Sequence, residues 1–393
     1  NIELNFNPVT LSATALSELH HEIVDGCENL AAVARIHNAD CVCCGILPTV
    51  QEKHLTTDFM SPLNRYSALN EQVLLQRHGE PIHIDVVGHQ HLSMDQYDVM
   101  LESATTSFQV HMQVPQEKAA RYLNASMIVS APMVAVAANS PYLFGYDLWD
   151  ETRIPVFEQS VASGGYAQAA HGPLKRITFG NHYVRESLWE CFAENLQHYP
   201  VLLPHDFHTP VEQMAHLQLH NGTIWRWNRP LIGFHEGKTH LRIEHRVIPS
   251  CPSILDMVAN MAFYYGLVES LVHQDKPAEA ALEFALAREN FYKAAKHGMN
   301  AHVLWLQGNS IQVSKLVLEQ LMELAWLGLE RLGIEDADIK KYLCIIEQRV
   351  LCGMNGANWQ RQYVARHGHD MHQLLQAYRE RQSSGLPVHE WDL

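Results

Sequence analysis

A chain of 393 residues with 47% hydrophobic content can bury a large core, and its length alone would suit two or three domains. Charged residues make up 18%, below the usual quarter of a globular protein, which argues against disorder. A formal net charge of −15 makes the chain a poor ligand for nucleic acid or an anionic membrane, and implies that a phosphorylated ligand is met through a divalent cation.

From Asn1, the stretch NIELNFNPV sets Ile2, Leu4 and Phe6 against Asn1, Glu3, Asn5 and Asn7, which predicts a strand. A chain opening in mid-strand implies a segment upstream. Past Pro8, Thr10 or Ser12 is placed to cap a helix running to about residue 39, with Leu16, Leu19, Ile23, Leu30 and Val33 on one stripe. CVCCGILP, from Cys41, predicts a short buried strand. A metal reading of CVCC is the weaker one, because zinc sites favour C-x2-C pairs joined by a second pair at a distance. With no secretory signal before them, the eight cysteines are expected as reduced thiols in a cytoplasmic protein.

SPLNRYSALNEQVLLQRHG predicts a second helix, with Ser61 and Pro62 at its start and Gly79 as its stop. PIHIDVVGHQHLSM and SFQVHMQVP predict two strands. Residues 116–138 predict an apolar helix kinked at Pro132, followed by a loop, ANSPYLFGYDLWDETR, and a further helix at 180–199. GTIWRWNRPLIG and THLRIEHRVIP predict paired strands around a Gly-containing turn. From residue 253 onward the chain reads as mainly helical. No apolar run reaches membrane-spanning length and no low-complexity linker interrupts the chain. One large domain over 1–393 is therefore expected, of α+β class with an antiparallel sheet.

The polar faces of these strands carry the chemistry. SFQVHMQVP turns Phe108, Val110, Met112 and Val114 one way and Ser107, Gln109, His111 and Gln113 the other. THLRIEHRVIP turns Leu241, Ile243, His245 and Val247 one way and Arg242, Glu244, Arg246 and Ile248 the other. If helices cover the apolar side, the opposite face displays Glu3, Gln109, His111, Gln113, Glu244 and Arg246. Carboxylates beside an imidazole suit a divalent cation, and Mg²⁺ keeps waters and phosphate oxygens among its ligands. An arginine two residues from such a carboxylate can stabilise a phosphoryl group in transfer. The plainer reading of each strand taken alone is a surface ion pair and a structural histidine.

IELNFNPV, SFQVHMQVP, ANSPYLFG, GTIWRWNRP, HLRIEHRVIP and MNGANWQRQ stand in the order seen in glutamate–cysteine ligases. Over essentially its whole length the chain resembles the bacterial carboxylate–amine ligases of that superfamily. The resemblance implies a glutamine-synthetase-like fold, a curled antiparallel β-sheet funnel flanked by α-helices. It implies use of ATP and Mg²⁺ to join the γ-carboxylate of glutamate to an amine, usually that of cysteine, through a γ-glutamyl phosphate. By position, it assigns Glu3, Glu244 and His111 to metal, Arg246 and His111 to the transferring phosphate, and Arg229 to the substrate or phosphate side. Gln109 takes the place of a family histidine, reading Q-V-H for H-V-H. Asn355, Gly356, Gln360 and Arg361 would close over the nucleotide, a capped helix start being the alternative; Asn139 and Ser140 would stand in a site loop or a structural turn.

A G-x-E-x-E strand that opens the family is absent from this chain, so it lies upstream or is lacking. The expected partners are glutamate and an amine, with no nucleic acid and no membrane. A homodimer is expected because the helices at 116–138 and 253–272 carry more apolar surface than one stripe requires. Three other readings stay open: a ligase for a different acid or amine, a non-catalytic binding or regulatory relative, and a histidine-rich metal-storage or sensor protein suggested by His83, His89 and His91.

Overall fold

The helix Ile254–Val272 is apolar around its whole circumference, and in the computed structural model, which describes residues 1–163 and 175–393, every residue from Asp256 to Glu269 is buried. Ser253 caps it, its hydroxyl accepting from the Asp256 N–H at 3.1 Å. Ala119–Ala137 is equally apolar, holds Pro132 within it, and is buried without a break from Tyr122 onward. Arg349 fastens the two helices together, donating to Asp256 Oδ1 at 2.7 Å, Asn260 Oδ1 at 2.6 Å and the Val136 carbonyl at 3.2 Å. The apolar surplus that suggested a homodimer is therefore consumed inside the chain. Met322–Leu332 packs on the same central helix through two glycines. A Cβ at Gly266 would run into the Ala325 carbonyl, and one at Gly328 into the Gly266 carbonyl.

One face of a three-stranded antiparallel sheet rests on these helices. Lys238–His245 is its centre, flanked by Val110–Val114 and Asn228–His235. A tight turn joins the last two, with Glu236 and Gly237 at φ of 49° and 75°, the left-handed geometry that two-residue hairpins require. Val110, Met112 and Val114 face the helices while His111 and Gln113 face outward, as the alternation predicts. His245 points into the helical side and stacks on Tyr264, ring centroids 4.2 Å apart. Its Nδ1 meets Asn228 Oδ1 at 2.7 Å, and Asn228 donates to Ser130 Oγ at 2.9 Å. Tyr265 Oη donates to the His111 carbonyl at 3.0 Å, so the central helix holds the outer strand directly.

The class is α+β and the pairing largely antiparallel, but among the described residues the strands form this one sheet and four two-stranded pieces, and no barrel closes. NIELNFNPV is not a strand: it lies irregularly along Ala15–Ile36, with Phe6 against Gly26 and Asn7 bonded to Glu22. CVCC is not a strand either, because the N–H and carbonyl of Cys43 are taken by the Gln382 side chain. PIHIDVVGHQHLSM is a hairpin, Ile82–Val87 with His91–Gln96, turning at Gly88. The helix expected at 180–199 is only Trp189–His198, since the Glu190 carboxylate accepts the N–H groups of Arg185, Glu186 and Ser187 just ahead of it. Among the described residues, no helix is long and apolar enough to cross a membrane.

Candidate active site

Register, more than sequence spacing, assembles the site. His111, Glu244 and Arg229 stand opposite one another on three neighbouring strands. Period two then brings Arg246 onto the same face, two residues from Glu244. Arg229 grips Glu244 as a fork, Nε to Oε2 at 2.8 Å and Nη2 to Oε1 at 3.1 Å. Arg246 Nη1 donates to Glu244 Oε2 at 3.1 Å and to Gln109 Oε1 at 3.2 Å. His111 Nε2 lies 3.5 Å from Glu244 Oε1, a contact longer than a good hydrogen bond. Arg229 Nη1 also reaches the carbonyls ending the short helix Ala215–Gly222, Asn221 at 3.5 Å and Gly222 at 3.4 Å. Of the sequence-predicted set, Gln109, His111, Arg229, Glu244 and Arg246 thus converge.

Glu244 is 3% exposed. Burial works to raise its pKa, but Arg246 and Arg229 prevail and hold the carboxyl down at about 2. His111 is shifted the other way: burial lowers it, Glu244 opposes, and Arg242, Arg229 and Arg246 each lower it further. Three guanidinium groups acting on one imidazole make the local field positive. Arg246 is 8% exposed, and its Nε is buried with no acceptor among the described residues. An anionic ligand, carboxylate or phosphoryl, meets this field with favourable charge and supplies acceptors that the arginines can use.

The fit to a bare divalent cation is poor as the residues stand. Both Glu244 oxygens already accept from guanidinium groups. Glu3 is exposed in the irregular first segment, and no group of three His, Cys, Asp or Glu side chains suited to a metal forms among the described residues. The expected set of Glu3, Glu244 and His111 is not brought together around one point, because the segment bearing Glu3 has no strand pairing.

Asn355, Gly356, Gln360 and Arg361 stand elsewhere, in a clasp on the ANSP loop. Asn355 caps the helix Gly356–His367, accepting from Asn358 N at 2.9 Å and donating to the Ala135 carbonyl at 2.9 Å. A Cβ at Gly356 would strike the Asn139 side chain. Gln360 donates to Asn139 Oδ1 at 3.1 Å. Arg361 pairs with Asp147 at 2.8 Å and with Asp150. Gln360 and Asn355 are each 1% exposed, so these amides face protein, which is the helix-start alternative raised from sequence.

One buried pair links the clasp to the site and goes unmarked in the sequence reading. Arg153 donates to the carbonyls of Arg246, at 3.2 Å, and Val247, and to Ser107 Oγ at 3.0 Å. Glu151 balances it at 3.2 Å and also accepts from Ser140 Oγ at 2.5 Å and Asn139 N at 2.8 Å. A partial signal was present: Glu151 and Arg153 run straight into the apolar stretch IPVF, and charges carried into a core are costly unless they pair.

Residues 1–380 match the family model of Glutamate-cysteine ligase family 2. No curated protein matches the chain. Among solved structures, the Pup ligase PafA of the prokaryotic ubiquitin-like modification pathway, in complex with ADP, is similar at 8% identity with a TM-score of 0.31. That match covers 79% of this chain and 61% of the other, so this chain spans less than two thirds of that ligase's length.

Proposed function

We propose that this chain, which belongs to glutamate-cysteine ligase family 2, is an ATP-dependent carboxylate–amine ligase whose acid is glutamate and whose amine is cysteine. The observation carrying the proposal is one buried carboxylate, Glu244, fixing two guanidinium groups on one face of the sheet with an imidazole 3.5 Å away. A carboxylate resists attack by an amine because its leaving group would be oxide. Phosphorylation by ATP converts that oxygen into part of a phosphate, which the amine expels. Charge builds on the phosphoryl oxygens during transfer, and preorganised arginines are the groups that stabilise it.

In this reading Arg246 meets the transferring phosphoryl group, Arg229 orients the acid, and Gln109 holds the Arg246 fork. His111, its pKa lowered, is available as a neutral imidazole beside them. Glu244 positions both arginines. Mg²⁺ belongs to the reaction class, but Glu244 is committed to Arg229 and Arg246 and is not free to hold it. Residues 1–393 act as one catalytic unit, supported by a hydrophobic cluster running from Ala15 to Val350. A cytoplasmic location goes with the demand for ATP.

An ADP-release screen tests the proposal, offering glutamate with a panel of amines and then other acids with cysteine. ADP released only when acid and amine are both present supports it, and the best pair names the substrates. A second reading, a non-catalytic binding relative, is favoured by the full occupation of Glu244 by guanidinium groups. Nucleotide binding with no ADP release from any pair would establish that reading instead.

A further inference from the structure

Gln113 and Arg242 lie on the polar face of the sheet and take no part in the cluster around Glu244. They stand opposite each other, two residues along from His111 and Glu244. Leu231 faces Arg242 from the other side, so neither neighbouring strand offers it an acid there. Glu244, the nearest acid on its own strand, is taken by Arg229 and Arg246. Arg242 Nε is nonetheless buried, and it finds no acceptor among the described residues. A guanidinium N–H shut away from water without an acceptor is costly, and a ligand that brings an acceptor removes the cost.

The surroundings of Arg242 leave room for that ligand and do not compete for it. His240, the next residue of the same face, lays its ring where a Cβ at Gly233 would project. Burial, and after it Arg242, lower the His240 imidazole, so His240 leaves the positive charge at this point of the face to Arg242. The Gln113 side chain is exposed across the ladder and carries an amide that can donate beside the guanidinium. Arg229 stands opposite Glu244, which makes Arg229 and Arg242 diagonal neighbours on adjacent strands, a spacing of about 7–8 Å.

We propose that Arg242, with the Gln113 amide beside it, is the subsite for a second carboxylate of the acid substrate, the one that is not phosphorylated. This rests on the reading of that acid as glutamate. Four C–C bonds of about 1.52 Å set the two carboxyl carbons of extended glutamate about 5 Å apart. With the side-chain carboxylate between Arg229 and Arg246, the α-carboxylate reaches the level of Arg242, and N–H···O bonds of about 2.8 Å close the remaining gap. An acid with a single carboxylate leaves Arg242 Nε unsatisfied. Arg242 touches no reacting atom, so it selects the substrate and takes no part in the phosphoryl step.

Titration calorimetry of the full chain, with Mg²⁺ and a non-hydrolysable ATP analogue, tests this by comparing glutamate with isoglutamine, in which the α-carboxylate alone becomes an amide. The parent should bind glutamate about 10- to 100-fold more tightly, the usual worth of hydrogen bonds to charged groups. Arg242→Gln should bring the two affinities level by weakening glutamate, and Arg242→Lys, which keeps the charge, should retain part of the preference. In ADP release, Arg242→Gln should raise KM for glutamate and leave kcat largely as it was, whereas Arg246→Ala should lower kcat. Equal binding of the two compounds by the parent, binding of neither, a preference that survives in Arg242→Gln, or a loss of kcat at unchanged KM would overturn the proposal. A parent that prefers glutamate, loses that preference in Arg242→Gln and releases no ADP with any amine would strike the ligase reading and leave the subsite standing.

Discussion

Glu244 shows how much a single side chain can be asked to hold. Sequence alternation alone marks it as a polar-face acid, and from that alone its amidation would seem harmless to folding. The structure assigns it two guanidinium partners at 3% exposure. Glu244→Gln should therefore destabilise the fold by about 3–5 kcal/mol, the usual cost of breaking a buried ion pair from one side, read as a fall in unfolding free energy in urea. An unchanged unfolding curve would show that the arginines find other partners. His245, on the opposite face, yields a pH prediction. Burial, and secondarily Arg153, holds its imidazole down at about 3. The unfolded ring binds its proton near ~6.5, so between these values the unfolded state carries the extra proton, and stability falls as pH falls. The contribution is complete above ~6.5 and declines by about 1.4 kcal/mol per pH unit toward 3. His245→Gln should remove that component from the slope of stability against pH. At this scale the sequence was readable where side chains follow period two. It was silent on which arginine grips which oxygen, because that depends on the register of the hairpin that sets Arg229 opposite Glu244, and on the pairing that brings His111 in from a strand over a hundred residues away.

Helices and strands differed in how plainly they announced themselves, for a physical reason. A helix bonds to itself, so the apolar runs at Ala119–Ala137 and Ile254–Val272 specify their own structure and their own burial. A strand needs a neighbour. The alternation in NIELNFNPV is as regular as that in SFQVHMQVP, yet only the second pairs with Lys238–His245. The first finds the N-terminal helix instead. CVCC fails in the same way, its backbone taken by a glutamine more than three hundred residues away. Backbone contact between helices was also beyond sequence reading: Gly266 and Gly328 sit inside apolar stripes where any small residue would look equivalent. They let two helices touch backbone to backbone. Gly266→Ala should cost at least the roughly 1–3 kcal/mol typical of overpacking, since neither facing backbone can yield, and should lower the thermal midpoint clearly. A midpoint equal to the parent's would mean that the helices slide apart freely.

Across the whole molecule, the late motif MNGANWQRQ and the early loop ANSP meet only because the chain folds back on itself, and this makes the C-terminal part a clasp on the site's supporting loop. Arg361→Ala leaves Asp147 and Asp150 without their cation, so it should lower stability by about 1–3 kcal/mol while the apparent affinity for nucleotide stays the same. A raised KM for ATP with unchanged stability would return Arg361 to the nucleotide. From Gln360 the buried chain of contacts runs through Asn139, Glu151 and Arg153 to the backbone of Arg246, so loop, clasp and site form one supported unit. In the proposed reaction this unit phosphorylates a carboxylate in order to join it to an amine. Transfer of ¹⁸O from the side-chain carboxylate of labelled glutamate measures that most directly. Inorganic phosphate should carry one label for each amide formed, and Arg246→Ala should slow label transfer and amide formation together, by about 10²–10³. Label found in AMP with release of pyrophosphate, or amide formed with unlabelled phosphate, would contradict the account.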